Sequence, residues 1–269
     1  MKYLTFYFSG TGNTKWVCEE FEKIIYKKGH VSSIISIESK EIEDKDFVAN
    51  LINEYDYIGF AQPIYGANIP NIMREFIDRI CKENGDINKK VYMINTYAYV
   101  NAFGYFCAKK LFIGTKFKLD TYINIKMCSN ISTPKIKLNF VDEHTLLKRK
   151  QNAINKLDKI INKIINNKSF IEGIGPCLIP GIIIRKKSTI AIKNNYKELS
   201  VDNDLCSKCM LCVNKCPTKN IKYENEKFKF DDNCTACMRC YNFCPVYAIT
   251  FNGIVADPKI YKRYRGPGE

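Results

Sequence analysis

Histidine is almost missing from this chain, which has only two, His30 and His144, in 269 residues. Neither lies beside a candidate nucleophile or a metal-binding pattern, so we do not expect catalysis by a histidine-based dyad. Long hydrophobic runs are missing too, since the longest, residues 174–184, is broken by prolines and a glycine and is too short to span a bilayer. The first eight residues have the pattern of a strand and not of a signal peptide. We therefore expect a cytoplasmic protein without a transmembrane segment.

Arginine is scarce although the chain is strongly basic. Lysine outnumbers arginine by 35 to 7, and the formal net charge is +14. Proteins that recognise nucleic acids favour arginine over lysine. In addition, the aromatic residues of this chain are not interleaved with the basic ones as in an RNA-binding motif. The composition therefore predicts no nucleic-acid partner. The segment 135–168 has nine Lys and Arg against three acidic residues, which favours either an acidic protein partner or a solvated lysine-rich helix.

Cysteine, in contrast, is abundant and patterned. Eight of the 13 cysteines form two copies of C-x2-C-x2-C-x3-C-P, offset by 28 residues at every position: Cys206, Cys209, Cys212 and Cys216, then Cys234, Cys237, Cys240 and Cys244. Structural zinc sites use pairs separated by a longer loop, and a disulfide framework is not expected without a signal peptide. The remaining five have no ligand spacing and are predicted to be buried, unreactive thiols: Cys18, Cys81, Cys107, Cys128 and Cys177.

The doubled cysteine run resembles that of bacterial two-cluster ferredoxins, in which the fourth cysteine of each run binds the other cluster. The resemblance implies two [4Fe-4S] clusters with crossed ligands. The first cluster would take Cys206, Cys209, Cys212 and Cys244, and the second would take Cys234, Cys237, Cys240 and Cys216. Crossed ligation would tie together the halves of a domain whose own core is small.

A loop rich in glycine and hydroxyl groups follows the first apolar run, and its residues are Ser9, Gly10, Thr11, Gly12, Asn13 and Thr14. A helical pattern begins directly after it, so backbone N–H groups and the helix dipole would favour an anion there. Neither the dinucleotide fingerprint nor the Walker pattern is present. The loop resembles the phosphate loop of flavodoxins, which implies that it binds the phosphate of FMN. An ordinary glycine-rich turn is the alternative.

Strand and helix patterns alternate through the rest of the N-terminal part. Strand-like runs lie at 3–8, 31–37, 57–61, 91–96 and 122–127, and helical patterns follow the phosphate loop and lie at 72–82, 103–112 and 146–165. The alternation predicts an α/β fold with a parallel sheet covered on both faces. The resemblance implies a flavodoxin-like doubly wound five-stranded parallel sheet, with strand order 2-1-3-4-5 and FMN at the switch point. We expect this domain at 1–168, a linker at 169–200, a small α+β two-cluster ferredoxin-like domain at 201–255 and a basic aromatic tail at 256–269.

Two further loops follow the third and fourth predicted strands, and by resemblance to flavodoxins they would sandwich the isoalloxazine ring. The first contains Pro63, Ile64, Tyr65, Gly66, Ala67 and Asn68, and the second contains Thr96, Tyr97, Ala98, Tyr99 and Asn101. Tyr65, together with Tyr97 or Tyr99, is the candidate for stacking on the ring. Gly66 would permit a backbone rearrangement that offers a hydrogen bond to the flavin. Any one of these tyrosines is alternatively an ordinary loop or interface aromatic.

Taken together, the motifs resemble those of the flavodoxin–ferredoxin fusion proteins of anaerobic bacteria and archaea, over nearly the full chain. The resemblance implies a soluble electron-transfer protein that passes single electrons between two [4Fe-4S] clusters and FMN. Its expected partners are a ferredoxin or another low-potential redox protein, acidic for charge reasons, and a second copy of the chain. Two alternatives stay open: a cluster-fed FMN-dependent reductase of a quinone, nitro compound or oxygen, and a redox sensor or binding module.

Overall fold

A parallel sheet organises the N-terminal part of the computed structural model, which describes residues 1–101, 104–136, 142–174 and 178–268. Its strands are β1 (Lys2–Tyr7), β2 (Val31–Ser36), β3 (Tyr57–Pro63), β4 (Lys89–Tyr97), β5 (Phe117–Lys126) and β6 (Phe170–Ile171). They lie in the order β2-β1-β3-β4-β5-β6, and every neighbouring pair is parallel. The predicted fold class and the order of the first five strands are confirmed. The two-residue β6 is an addition that the sequence pattern did not reveal.

Helices cover both faces of the sheet: α1 (Asn13–Lys27), α2 (Lys45–Glu54), α3 (Asn71–Asn84), α4 (Tyr105–Lys109) and α5 (Glu143–Ile165). Phe21 of α1 and Leu157 of α5 pack in one hydrophobic core, while Ile52 of α2 and Ile77 of α3 pack in the other. All seven residues of β3 are buried between these layers, as expected for a central parallel strand. The sequence pattern missed α2. Phe103, which begins the helical pattern predicted at 103–112, lies outside the described residues.

The segment predicted as a linker, 169–200, contains β6 and a helix of 17 residues, α6 (Leu178–Asn194). Pro180 lies in the first turn of α6, where a missing N–H costs no intrahelical hydrogen bond. The helix packs against the loop after β3, because Arg185 Nε donates to the carbonyl of Ala67 at 3.0 Å and Asn68 Nδ2 donates to Thr189 Oγ1 at 2.8 Å. Among the described residues, none of the helices combines the length and the apolar character needed to cross a bilayer.

Short elements build the C-terminal part: β7 (Leu199–Val201), α7 (Leu211–Asn214), β8 (Ile221–Glu224), β9 (Lys227–Phe230), α8 (Arg239–Phe243) and β10 (Ile249–Phe251). β7 pairs antiparallel with β10, and β8 pairs antiparallel with β9. The sequence repeat is visible in the backbone, because Met210 and Met238, 28 residues apart, both have left-handed conformations, with φ of 57° and 60°, directly before α7 and α8. The sequence-predicted α+β character of this part is confirmed.

The C-terminal tail folds back onto both parts of the molecule. The backbone N–H of Tyr264 donates to Asn242 Oδ1 at 2.8 Å, and the hydroxyl of Tyr264 donates to Asn13 Oδ1 at 2.5 Å. Lys150 of α5 donates to the carbonyl of Pro267 at 3.0 Å. The tail therefore links the cysteine-rich part to the loop that precedes α1.

Candidate cofactor sites

The eight cysteines of the doubled run gather in two groups of four, each around a small cavity. The first group is Cys206, Cys209, Cys212 and Cys244, and the second group is Cys216, Cys234, Cys237 and Cys240. Each group has three cysteines from one copy of the motif and the fourth cysteine of the other copy. Among the described residues, no set of three or more His, Cys, Asp or Glu side chains is close enough to hold a single metal ion, so each cysteine group surrounds a space wider than one ion. Four cysteines around an enclosed space are the donor set that a [4Fe-4S] cubane needs, so the residues fit that group.

Backbone amides donate to sulfur atoms in both groups. The donors lie two residues after the first cysteine of each run and four residues after the last: Lys208 to Cys206 and Ala236 to Cys234, both at 3.4 Å, and Asn220 to Cys216 and Ala248 to Cys244, both at 3.2 Å. Hydrogen bonds to the sulfurs stabilise negative charge on a cluster and are one of the factors that set its reduction potential. Both groups therefore share one mode of stabilisation, in keeping with the sequence repeat.

The second group is more deeply buried than the first. Cys237 is 8% exposed, whereas Cys209 is exposed. Burial raises the pKa of the Cys237 thiol to about 12 and that of Cys212, in the first group, to about 11, and neighbouring thiols of the same group contribute to both shifts. Because ligation requires thiolates, loading either group with iron must displace protons from buried sulfur. The first group is the one nearer to solvent.

A cavity of about 540 Å³, which we call the flavin-sized cavity, lies at the carboxyl ends of β1, β3 and β4. Of the seventeen residues predicted to bind flavin, fourteen line it, and the three that do not are Gly12, Asn68 and Asn101. The volume is in the usual range for a small-molecule site, and the position is the one where doubly wound sheets bind their ligands. Sequence reasoning missed residues 128–136, the inner face of α6 and residues of the C-terminal part, Ala236 and Met238 among them, which also line the cavity.

The phosphate loop leaves the start of α1 open to an anion. Gly12 precedes the helix with a φ of 99°, no side chain caps the helix, and its first turn has no acidic residue. The first N–H groups of a helix have no intrahelical acceptor, so they are available to a phosphate. Within the loop, the N–H of Gly12 donates to Ser9 Oγ at 3.1 Å, and the hydroxyls of Thr14 and Thr96 hydrogen-bond at 2.8 Å. The loop is therefore tied to the end of β4 and fits a terminal phosphate.

Asn13 supports the loop with its side chain. Its Nδ2 donates to the carbonyl of Cys128 at 2.8 Å, and its Oδ1 accepts the hydroxyl of Tyr264. Directly beside it, a Cβ added to Gly12 would lie 3.0 Å from the Cα of Gly266 in the tail. The tail thus packs closely against the phosphate loop, and the sequence contained no local signal for that contact.

Tyr65 stands between the phosphate loop and the second cysteine group. Burial raises the pKa of its hydroxyl well above the usual range, and the side chain of Asn130 and the backbone of Gly10 hydrogen-bond that hydroxyl. A Cβ at Gly10 would collide with this hydroxyl and would lie 2.8 Å from the carbonyl oxygen of Cys237. Glycine is therefore required at position 10 by a close approach. The stacking of Tyr65, Tyr97 or Tyr99 on a flavin ring stays a prediction.

The loop after β3 makes a two-residue turn. Tyr65 and Asn68 exchange backbone hydrogen bonds at 3.0 Å, and the two residues between them, Gly66 and Ala67, both have positive φ, 50° and 65°. Ile192 of α6 covers the turn so closely that a Cβ on Gly66 would collide with its side chain. The predicted interaction of Gly66 with a flavin therefore has to be made beneath α6.

The second cysteine group borders the 540 Å³ cavity. Ala236 and Met238, which flank Cys237, line both this cavity and the one that holds the second cysteine group. Asn130 Nδ2 donates to the carbonyl of Cys237 at 3.0 Å, and Asn130 itself lines the flavin-sized cavity. The backbone around Cys237 is therefore a shared wall between the two candidate sites.

Arg239, two residues after Cys237, fixes this wall in place. Its guanidinium donates to the carbonyls of Ser9 and Gly10, at 2.8 and 3.0 Å, and makes a bidentate pair with Glu38, at 2.6 and 2.7 Å. A planar guanidinium suits such a pair, and its remaining N–H groups reach the carbonyls of the phosphate loop. One side chain thus joins the cysteine-rich part to the flavin-sized cavity.

Four of the five cysteines outside the doubled run are described, and three of these four are buried as predicted. Cys18, Cys81 and Cys128 are buried, but Cys107 is exposed, so the expectation of a buried thiol is wrong there. Cys107 lies on α4, a helix of five residues, and its sulfur accepts a hydrogen bond from Arg185 of α6. Cys177 lies outside the described residues.

Comparison with known proteins finds similarities to two different parts of the chain. Residues 198–250 match the 4Fe-4S dicluster domain family. No curated protein matches the sequence significantly. Solved structures similar to the N-terminal part include a flavoprotein from Thermotoga maritima (18% identity, TM-score 0.43, 62% of this chain and 36% of that one), a Streptococcus pneumoniae flavodoxin (15%, 0.38, 59% and 98%) and an archaeal flavodoxin (17%, 0.36, 60% and 99%).

The chain spans about a third of the length of the Thermotoga flavoprotein and almost all of the two flavodoxins. The strand order β2-β1-β3-β4-β5 is that of flavodoxin. The segment 198–250, which matches the 4Fe-4S dicluster domain family, follows this sheet. The chain thus combines a sheet with the strand order of flavodoxin and a C-terminal segment similar to 4Fe-4S dicluster domains.

Proposed function

We propose that this chain is an electron carrier in which two [4Fe-4S] clusters and one FMN exchange single electrons within one polypeptide. The observation that carries the proposal is the wall around Cys237, whose flanking residues Ala236 and Met238 line both the second cysteine cavity and the flavin-sized cavity. Because both sites belong to one polypeptide, the clusters and the flavin do not need to meet by diffusion, and the effective concentration of the clusters near the flavin is high. We assign residues 1–168, extended by β6, to flavin binding and residues 201–255 to the clusters.

FMN supplies chemistry that the clusters lack, because it exchanges either one or two electrons. In this proposal Ser9, Thr11 and the backbone N–H groups at the start of α1 hold its phosphate, while Tyr97 and the loop after β3 contact its ring. Asn13 and Thr14 keep the loop in shape through the carbonyl of Cys128 and the hydroxyl of Thr96. The first cysteine group takes electrons from outside, since Cys209 is exposed, and the second faces the flavin.

An acidic low-potential ferredoxin is the partner that the surface charge favours. Lys148 and Lys159 of α5 are exposed, and they provide the positive surface expected to attract it. Arg149 and Lys150, in contrast, are half-buried and donate hydrogen bonds to the carbonyls of Met127 and Pro267, respectively. They therefore contribute less to the positive surface than Lys148 and Lys159 do. Charge reversal at Lys148 and Lys159 should slow association with an acidic ferredoxin at low salt, and added salt should remove the difference.

Protein purified without oxygen tests the assignment of cofactors. We expect about eight iron atoms per chain, four in each cubane, and one FMN. Thr11→Ala should weaken the binding of FMN more than the binding of riboflavin, because the loop binds the phosphate that riboflavin lacks. Ser39→Ala, at a residue that does not line the cavity, is the matched control and should change the binding of neither ligand. Equal loss of both ligands in the Thr11 variant would contradict the phosphate assignment, and zinc without iron would contradict the clusters.

Measurements of turnover then distinguish the electron carrier from the FMN-dependent reductase, the alternative function that the sequence left open. Reduced ferredoxin should reduce the protein rapidly, and a second redox protein should reoxidise it. Sustained consumption of a quinone, a nitro compound or oxygen at comparable rates, without a protein acceptor, would favour the reductase instead. Redox-dependent binding of a partner without sustained turnover would favour the sensor.

A further inference from the structure

Arg263, in the C-terminal tail, has a buried guanidinium. Its Nε, Nη1 and Nη2 atoms are inaccessible to solvent, and none of them has a hydrogen-bond acceptor among the described residues. A guanidinium has five N–H donors, and burying a charge without a compensating partner is strongly unfavourable. The tail therefore places a positive charge where the described protein groups do not neutralise it, which points to a negatively charged group that completes the site.

Two tyrosine rings hold this guanidinium in place. Its Cζ lies 3.4 Å from the centroid of the Tyr241 ring and 4.6 Å from that of Tyr247. Tyr241 is fully buried, and its hydroxyl donates to the carbonyl of Ser132 at 2.8 Å, so the first ring has little freedom. The next tail residue, Tyr264, is fixed by its N–H to Asn242. Aromatic faces attract a cation but accept no strong hydrogen bonds, so they orient the group and leave its N–H donors unused.

The candidate for the missing negative charge is the second cysteine group. Burial lowers the pKa of Arg263 to about 10, and the charge of Cys240 opposes that shift. Cys240 directly precedes Tyr241, the ring on which the guanidinium rests. With four thiolates, a [4Fe-4S] cluster has a net charge of about −2 when oxidised and about −3 after it gains one electron.

We propose that Arg263 is the buried counter-charge of the cluster held by the second cysteine group and that it raises the reduction potential of this cluster above that of the first. The inference rests on the proposed function, because it needs both clusters. A fixed positive charge stabilises the more negative, reduced state, so it favours uptake of one electron without any proton. The cluster that borders the flavin-sized cavity then becomes the better acceptor, and an electron that enters at the exposed first group moves toward the flavin.

Redox titration of the anaerobic holoprotein, followed by EPR, tests the role of this charge. The electrons come from a low-potential one-electron mediator reduced by dithionite. Arg263→Gln should lower the equilibrium constant for reduction of one cluster about tenfold, a shift of about 59 mV to more negative potential, and leave the other cluster nearly unchanged. Arg263→Lys keeps the charge and should stay close to wild type. Lys262→Gln removes a charge from the neighbouring exposed residue and should shift neither cluster.

Iron content decides the remaining outcomes. Two loaded clusters with unchanged potentials in Arg263→Gln would overturn the proposal, as would equal shifts in both Arg263→Gln and Lys262→Gln. If only Arg263→Gln loses iron while Arg263→Lys keeps both iron and potential, the positive charge is required and the proposal stands. Loss of iron in both Arg263 variants would instead show a packing role and contradict it. Wild-type protein without two clusters would refute the proposed function itself, which the iron analysis detects before any titration.

Discussion

Removal of the Arg239 side chain should separate the cysteine-rich part from the phosphate loop. Arg239 is 15% exposed and Glu38 is 28% exposed, and the guanidinium also donates to the carbonyls of Ser9, Gly10 and Lys215. A hydrogen bond from a charged group contributes about 1.5–3 kcal/mol, but such terms are not additive, and Glu38 regains water when the pair is broken. We therefore expect Arg239→Ala to cost about 3 kcal/mol of docking free energy.

Hydrogen exchange followed by mass spectrometry measures this effect locally. A loss of about 3 kcal/mol corresponds to roughly a 150-fold increase in the opening equilibrium, since about 1.4 kcal/mol is a factor of ten. Peptides that contain residues 9–13 and 236–239 should therefore exchange about two orders of magnitude faster, while peptides from β3, at the centre of the sheet, should not change. The flavin-sized cavity should lose its wall at Ala236 and Met238, so retention of FMN should fall in parallel.

Two further variants make the reasoning refutable. Glu38→Gln should give part of the Arg239→Ala effect, and the double variant should add little to it, because both changes remove one interaction. Lys222→Ala breaks an exposed ion pair with Asp231 elsewhere in the cysteine-rich part, and it should cost at most about 1 kcal/mol without changing exchange at the boundary. If Arg239→Ala exchanges like the Lys222 control at both peptides, Arg239 does not hold the two parts together.

Two other predictions follow from close packing and from burial. Gly10→Ala should lower the free energy of unfolding, measured with denaturant, by about 2 kcal/mol, because the new Cβ collides with the hydroxyl of Tyr65 and displaces that side chain. Gly268→Ala is the control, since Gly268 has open space around it. Equal effects of the two substitutions would refute the close approach at Gly10. At pH 8, iodoacetamide should alkylate the exposed Cys107 well before the buried Cys81, whose thiol pKa burial raises to about 11, and comparable rates in folded protein would contradict the assigned burial.

The sequence was most informative where the chemistry is local. In each copy of the repeat, three cysteines within seven residues define most of a ligand group because short spacing brings their thiols together, while the fourth ligand comes from the other copy. The phosphate loop is local for the same reason, since a strand, a glycine-rich turn and a helix start are consecutive. Strand periodicity likewise located the first five strands of the sheet, and their order was expected from the flavodoxin resemblance.

Contacts between distant residues could not be predicted in this way. Arg239 reaches Ser9 across 230 positions, and Tyr264 reaches Asn13 across 251, so no periodic pattern connects them. The helix α6 was hidden because Pro180 and Gly181 suggested a broken segment, although both lie in its first turn, where they are tolerated. The count of basic residues at 135–168 also overstated the positive surface charge. Arg149 contributes to that surface only in part, because its guanidinium donates a hydrogen bond to the carbonyl of Met127.

Rapid mixing without oxygen tests most directly whether the second cysteine group delivers electrons to the flavin. Reduced low-potential ferredoxin is mixed with protein that contains iron and FMN, and absorbance follows the clusters and the flavin separately. Wild type and Cys107→Ala, a control at an exposed thiol, should both show rapid flavin reduction. Cys237→Ala should retain FMN, lose the second cluster and show flavin reduction that is slower by orders of magnitude. Flavin reduction at the wild-type rate in that variant would contradict the transfer of electrons through the wall at Cys237.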